Sequence, residues 1–378
     1  MSSRRTVLKL LGGGVVVSAA TVGGFVALNQ PSRVARAPWR AAGGYDEFRR
    51  RALSYALLAP NPHNRQPWLV RLEGERALSL YCDLDRRLPV TDPFDRQIAI
   101  GCGAFLELLS MAAAQDGYGV AITPFPQGAD MAMLDARPVA RVVFEPGGAS
   151  PDPLFGAILA RRSNKSVYRA EDVPAPHLQL LAQAGAAYGQ TSKTDAAPEL
   201  VARLCDLTWR AHERETLTPD AMQESVDLMR IGAREVAANP DGIELEGPFL
   251  AAARLVGVLN RQTLADPTSS VFRQGLAMYR EMAMSARAFG WILNPNATRA
   301  DQLDAGRAYA RVNLQATALG LGVHPWSQAL QEYEAMAPLY REAHDVLGVG
   351  QRLQMLYRIG YADPVMETPR RGLSAHLV

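Results

Sequence analysis

Arg161-Arg162-Ser163-Asn164-Lys165 gathers four phosphate-binding donors into five residues. A guanidinium grips phosphate with two parallel bonds, a hydroxyl adds another, and an ammonium supplies a compact point charge. The lysine carries extra weight, because the chain has three lysines against thirty-seven arginines. The pattern places the run at the end of a short helix, where basic residues would also favour the helix macrodipole and could simply be solvated. On these residues alone a phosphate cradle and a solvated helix end both stay open.

Other chemistries find little support. His63, His177, His212, His324, His344 and His376 show no metal-ligand spacing. Cys82, Cys102 and Cys205 are an odd, widely spaced set that reads as buried and structural. There is no P-loop, no nucleophile elbow, and no G-x-G-x-x-G on a strand-to-helix turn.

The elements that must position the run show a weak internal duplication. Gly103 to Val120 aligns without gaps to Gly306 to Val323, with Gly103/Gly306, Ala113/Ala316, Gly117/Gly320, Gly119/Gly322 and Val120/Val323 identical. Each copy reads as a long helix, a glycine turn and a strand entry. An apolar strand candidate follows each, Val139 to Phe144 and Leu353 to Tyr361. Further strands are expected at Trp68 to Leu72 and Ala77 to Cys82, and the region from Pro198 to Phe289 reads as largely helical, either covering a cofactor or packing its own lobe. Met278, Met282 and Met284 in that block read as core. A few strands, abundant helix and no regular βαβ alternation argue for an α+β fold. Either the shared grammar of a helix ending in glycine explains the repeat, or the chain fuses two lobes around one asymmetric site.

Residues 1–37 read as an address. Arg4-Arg5 precedes a mild apolar stretch from Leu10 to Leu28, and Ala35-Arg36-Ala37 supplies a small-x-small cleavage site. This resembles a twin-arginine export signal, a route that carries proteins already folded around a cofactor. The expected location is periplasmic, with a membrane contact only if the segment is uncleaved and anchors the chain. Removing its five basic residues, with no acidic one lost, turns the formal charge from +2 to −3, so no basic field for nucleic acid is left.

Two segments together resemble a family. Ala59-Pro60-Asn61-Pro62-His63-Asn64-Arg65-Gln66-Pro67-Trp68 is similar to the P-x-x-x-N-x-Q-P-W segment of FMN-dependent nitroreductases, and Arg161 to Lys165 to their R-x-S-x-[RK] segment. Leu319 to Val323, and Ile359-Gly360-Tyr361 followed by Pro369-Arg370-Arg371, resemble the family's late turn, closing strand and basic tail. The motif order departs from the family, since N-x-Q-P-W comes first here and lies in the other lobe. That fits the superfamily's single-polypeptide, two-lobed branch, with a first lobe over residues 45–150 and a second, with helical cover, over 151–378.

The resemblance implies one FMN between the lobes. Arg161, Arg162 and Ser163 would bind its phosphate with Arg370 or Arg371, and Lys165 would face its ribityl and pyrimidine edge. Asn61 and Asn64 would reach it from lobe one, and the backbone of Pro325, Trp326 and Ser327 would approach its redox-active nitrogen. Gln66 and Trp68 would be structural. The implied activity is two-electron hydride transfer to a nitroaromatic, quinone or similar acceptor, with NAD(P)H as a candidate donor; the alternative is a non-enzymatic FMN holder with an occluded flavin.

Overall fold

In the computed structural model of the 378-residue chain, residues 25, 26, 28–294, 296, 298–348 and 350–378 are described. The twin-arginine pair and most of the apolar stretch from Leu10 to Leu28 lie outside them.

After a short helix α1 (Ala37–Ala41) and α2 (Phe48–Ala56), strands β1 (Trp68–Glu73) and β2 (Ala77–Cys82) form a hairpin. The long helix α3 (Arg96–Gln115), β3 (Tyr118–Pro124) and β4 (Ala140–Pro146) complete an antiparallel sheet of order β1-β2-β4-β3. In the second half, α4 (Ala175–Gly185) and β5 (Thr191–Asp195) lead into a block of helices: α5 (Pro198–Leu217), α6 (Pro219–Asp227), α7 (Ala233–Ala238), α8 (Pro248–Leu255), α9 (Arg261–Ala265) and α10 (Ser270–Met284). Within that block a short parallel pair, β6 (Met229–Ile231) and β7 (Ile243–Leu245), interrupts the helical pattern. Three-residue strands carry too little periodicity to be seen in sequence. Strand β8 (Ala288–Asn294), helix α11 (Arg299–Ala318), strand β9 (Gly322–Pro325), helix α12 (Ala337–Leu347) and strand β10 (Arg352–Gly360) follow. They build a second antiparallel sheet of order β5-β8-β10-β9.

The two sheets have the same plan. Taken in pairs, β1/β5, β2/β8, β4/β10 and β3/β9 occupy equivalent places, and α3 and α11 precede equivalent strands. The glycines of the repeat show that this is more than shared grammar. A Cβ on Gly103 would lie 1.9 Å from the Leu303 carbonyl oxygen, and a Cβ on Gly306 would lie 1.9 Å from that of Ile100. Ile100 and Leu303 are related by the same sequence step as the glycines, so each helix presses its glycine against the equivalent turn of the other. That reciprocity is the signature of a two-fold contact, here within one chain, and it needs residues without a side chain. Gly117 (φ 77°) and Gly320 (φ 71°) end the two helices in the left-handed region, which glycine adopts without steric cost.

Polar ties lock the lobes together. Buried Glu107 on α3 accepts from Arg311 Nη1 at 2.8 Å, Arg307 Nε at 3.2 Å and Tyr188 Oη at 2.7 Å. Buried Arg96 donates to the carbonyls of Leu330 and Gln354, both at 2.7 Å. Lobe two also lends its C-terminal tail to the edge of lobe one's sheet and its 161–165 run to the edge of its own. The C-terminal tail brackets Val70 of β1 through His376 and Val378, and Asn164 N donates to Val323 O of β9 at 3.0 Å.

The 161–165 run differs from its expected setting. Phe155–Ala157 forms one 3-10 turn, and Ser163 then bridges in parallel to Val323. No α-helix ends there, so the macrodipole explanation of its basic residues falls away. Pairing with a strand 160 residues further along the chain, invisible in local periodicity, draws the run out. Of the methionines read as core, Met278 and Met284 are exposed, because α10 is a surface helix packed on one side only.

Candidate functional site

The Pro60 to Gln66 loop is tightly wound. His63, Asn64 and Gln66 all take positive φ, at 47°, 51° and 51°, a conformation that costs non-glycine residues of order 1 kcal/mol or more each and persists only when neighbours enforce it. Here Asn61 Oδ1 accepts from Gln66 N at 2.7 Å, and Asn64 Nδ2 donates to Pro369 O at 3.0 Å. Fully buried Gln66 donates to Pro240 O at 2.8 Å and accepts from Arg371 N at 2.8 Å. The loop therefore joins lobe one, the C-terminal tail and the helical block.

Behind it two arginines converge. Arg161 Nη2 donates to Leu58 O at 3.0 Å, and Arg370 Nη2 donates to the same oxygen at 3.2 Å and to Ala59 O at 3.1 Å. Arg370 Nη1 also donates to Asn64 Oδ1 and to Thr368 Oγ1. Both guanidiniums are buried, at 2% and 4% exposure, and neither has a carboxylate within ion-pairing distance among the described residues. Arg161 Nε and Nη1, and Arg370 Nε, are buried without a hydrogen-bond partner. Burial pulls the Arg161 guanidinium down to about 10. Burial, and then the neighbouring charge of Arg161, pull Arg370 down to about 9. Two desolvated cations side by side with free N–H groups are costly unless an anion joins them.

Arg162 flanks the pair. Its Nη1 donates to Leu159 O at 2.8 Å and its Nη2 pairs with Glu367 at 3.1 Å, while its guanidinium carbon lies 4.3 Å from the Trp39 ring centroid. Arg371 turns elsewhere: it reaches Asp83 at 3.7 Å and Ala375 O at 2.9 Å. Of the two tail arginines offered for the cradle, the geometry brings Arg370 to Arg161 and leaves Arg371 with lobe one.

The other end of the site lies along β9. The Ser163–Val323 bridge runs Lys165 beside His324 and Pro325, and Lys165 is exposed. Burial first, then the charges of Lys165 and Arg65, hold His63 down to about 4, so it stays neutral. Burial and Lys165 do the same to His212 on α5, also about 4. His324 is likewise well below its usual value through burial, Arg358 and Lys165. Lys165 thus sits amid neutral imidazoles from both lobes. Trp326 is committed to structure, with its amide donating to Leu356 O at 2.9 Å and its indole to Thr208 O at 3.1 Å. Ser327 Oγ donates to Leu356 O at 3.0 Å. Over this end α5 and α10 stack aromatic groups: the His212 ring lies 4.3 Å from Tyr279 and 5.9 Å from Trp326.

Sequence reasoning passed over three contributors. Buried Arg358 on β10 donates to His324 Nδ1 at 3.2 Å, Met282 O at 2.6 Å and Ser166 O at 2.8 Å, tying the 163–166 segment to β9 and α10. His63 lay inside the loop motif without being singled out, although its Nδ1 is buried without a hydrogen-bond partner. Trp39 fell next to the segment set aside as a signal.

No family model matches the chain. It is 28% identical over 335 residues to "Putative NAD(P)H nitroreductase Rv3131" of Mycobacterium tuberculosis, covering 86% of this chain and 89% of that one. It is 35% identical over 117 residues to "Putative NAD(P)H nitroreductase acg" of the same organism, covering 30% and 34%. Among solved structures, that of the FMN-dependent nitroreductase NfnB from Mycobacterium smegmatis in complex with NADPH aligns at 21% identity and a TM-score of 0.36, covering 58% of this chain and 94% of that one. Along most of its length, this α+β chain of two like sheets is similar in sequence to a protein named as a nitroreductase.

Proposed function

We propose that the chain is an FMN-dependent oxidoreductase of nitroreductase type, passing two electrons from a donor such as NAD(P)H to a nitroaromatic, quinone or similar conjugated acceptor. The observation that carries this reading is the buried pair Arg161 and Arg370, with orphaned N–H groups and no carboxylate partner among the described residues. Two such guanidiniums are complementary to a phosphate monoester dianion. The names of the relatives support the same cofactor and donor.

Bound FMN would supply the hydride-accepting ring. Arg161 and Arg370 would hold its phosphate, with Arg162 flanking them, and Ser163 and Asn64 would anchor the strands of chain that carry them. Asn61 would keep the loop wound. Lys165 would place positive charge beside the ring's pyrimidine edge, where charge of that sign favours reduction. His63, His212 and His324, held neutral by burial, would line the site without competing for a proton near pH 7. The α5–α10 wall would exclude water on one side. The test is anaerobic addition of NADPH to the purified yellow protein: bleaching supports the reductase, and a protein purified without flavin that takes up none from excess FMN sinks the reading.

A second reading, a non-enzymatic FMN holder, is favoured by that same wall of Trp209, His212, Tyr279 and Trp326. A protein that stays yellow with NADPH yet bleaches with dithionite would select it.

For location we propose export by the twin-arginine route with the N-terminal segment retained as an anchor. Ala35 and Arg36, in the small-x-small run, are buried, and a peptidase needs an extended, accessible substrate.

A further inference from the structure

The segment Ser32 to Ala41 is docked across the phosphate end of the site rather than leading away from it. Arg36 is buried and pairs with equally buried Glu246 at 2.6 Å, while its Nε donates to Glu367 O at 2.5 Å and its Nη1 to Ser32 O at 2.9 Å. Ser32 N donates to the other oxygen of Glu246 at 2.9 Å. Ala35 O accepts from Arg370 N at 2.8 Å. Trp39, also buried, donates its indole N–H to Thr368 O at 2.8 Å, which fixes the ring plane. That ring lies 4.3 Å from the Arg162 guanidinium carbon and 5.6 Å from that of Arg370. One indole therefore spans two of the three arginines around the cradle; it is held by Thr368 of the tail, while the segment that carries it is tied to the tail and, through Ser32 and Arg36, to Glu246 of the helical block.

We infer that residues 32–41 form a strap that retains the cofactor's phosphate by holding Arg162 and Arg370 in place, with Trp39 as the positioning residue. The inference rests on the FMN reading above. A strap tied at Glu246 must undock before the arginines can swing away from a bound phosphate, so it acts on dissociation more than on association. It does not touch the ring end near Lys165, so a ligand without a phosphate should feel it little.

The experiment measures dissociation of FMN and of riboflavin from the full chain in wild type, Trp39→Ala, Trp39→Phe and Glu246→Gln, following the recovery of flavin fluorescence in excess apo-scavenger. Loss of a partly desolvated cation–π contact corresponds to about tenfold. FMN should therefore leave Trp39→Ala about tenfold faster, with Trp39→Phe close to wild type because a ring is kept. Glu246→Gln, which loosens the strap from its far end, should also release FMN several-fold faster, and riboflavin release should change little in any variant. Should Trp39→Ala not fold, Glu246→Gln decides the matter. FMN release at the wild-type rate from Glu246→Gln and from any folded Trp39→Ala overturns the strap while leaving the cofactor reading intact. Equal acceleration for FMN and riboflavin overturns it too. A wild type that takes no FMN removes the functional reading, and the strap with it.

Discussion

Replacing Arg161 with methionine should weaken FMN binding and stabilise the flavin-free protein at the same time. The two effects share one cause. Arg161 is buried beside a second cation, Arg370, and two of its donors, Nε and Nη1, have no partner. Its one bond goes to Leu58 O, which keeps Arg370 Nη2 at 3.2 Å after the substitution. Removing it therefore orphans no acceptor, and methionine fills similar volume. In the flavin-free state the change relieves an unpaired buried charge, the situation in which apolar replacements stabilise by about 1–4 kcal/mol. Toward phosphate the loss is up to two charge-assisted bonds at about 1.5–3 kcal/mol each. The relief of charge repulsion between the arginines offsets part of this, which leaves about 2–3 kcal/mol, or roughly 30- to 150-fold in Kd. Fluorescence titration with FMN and riboflavin reads the first effect, and thermal unfolding of the flavin-free protein reads the second. Riboflavin should bind as before. Equal weakening of both flavins, or a lower melting temperature without flavin, would refute the anion cradle.

The chain should hold one FMN, since Arg161 and Arg370 meet once among the described residues; two flavins per chain by absorbance against protein mass would sink the single-site model. Gly103→Ala and Gly306→Ala should each destabilise by about 3 kcal/mol or more, because a Cβ would meet backbone oxygen at 1.9 Å, whereas Gly275→Ala on α10, with open space around it, should stabilise by about 0.5–1 kcal/mol; matched melting temperatures for all three would discredit the reciprocal contact. Stability should fall as pH drops from about 6.5 toward 4, because the unfolded chain takes up protons at His63 and His212 that the folded chain refuses until about pH 4. Asp92, pushed up to about 6 by burial, works in the opposite direction, as do Asp95, Glu215 and Asp304, which burial also raises, but five histidines are held down, so melting curves should show a lower midpoint at pH 5 than at pH 7, and a flat profile would contradict the assignment. Arg4→Lys with Arg5→Lys should leave a folded, flavin-loaded chain in the cytoplasm; fractionation showing normal export would remove the twin-arginine reading.

Much of the frame was legible from one dimension. The helices carrying Gly103 and Gly306, the hairpin at Trp68 to Cys82 and the strands after each repeat are set by local periodicity and glycine punctuation, which act within a few residues. The basic run at 161–165 and the wound loop at 61–66 also stand out, because their residue types are unusual wherever they are placed. What could not be read is whatever depends on pairing between segments far apart in the chain. That Ser163 pairs with Val323, that Arg370 rather than Arg371 meets Arg161, and that Trp39 covers both Arg162 and Arg370 follow from contacts spanning from about 100 to more than 330 residues. Neighbouring arginines in a tail are chemically identical on paper. Only the burial of one beside a shared carbonyl, and the exit of the other toward Asp83, gives them different charge environments. Composition chose the donors, and the tertiary fold decided which of them are left desolvated and unpaired, because burial is a property of the packed chain and not of any residue in it.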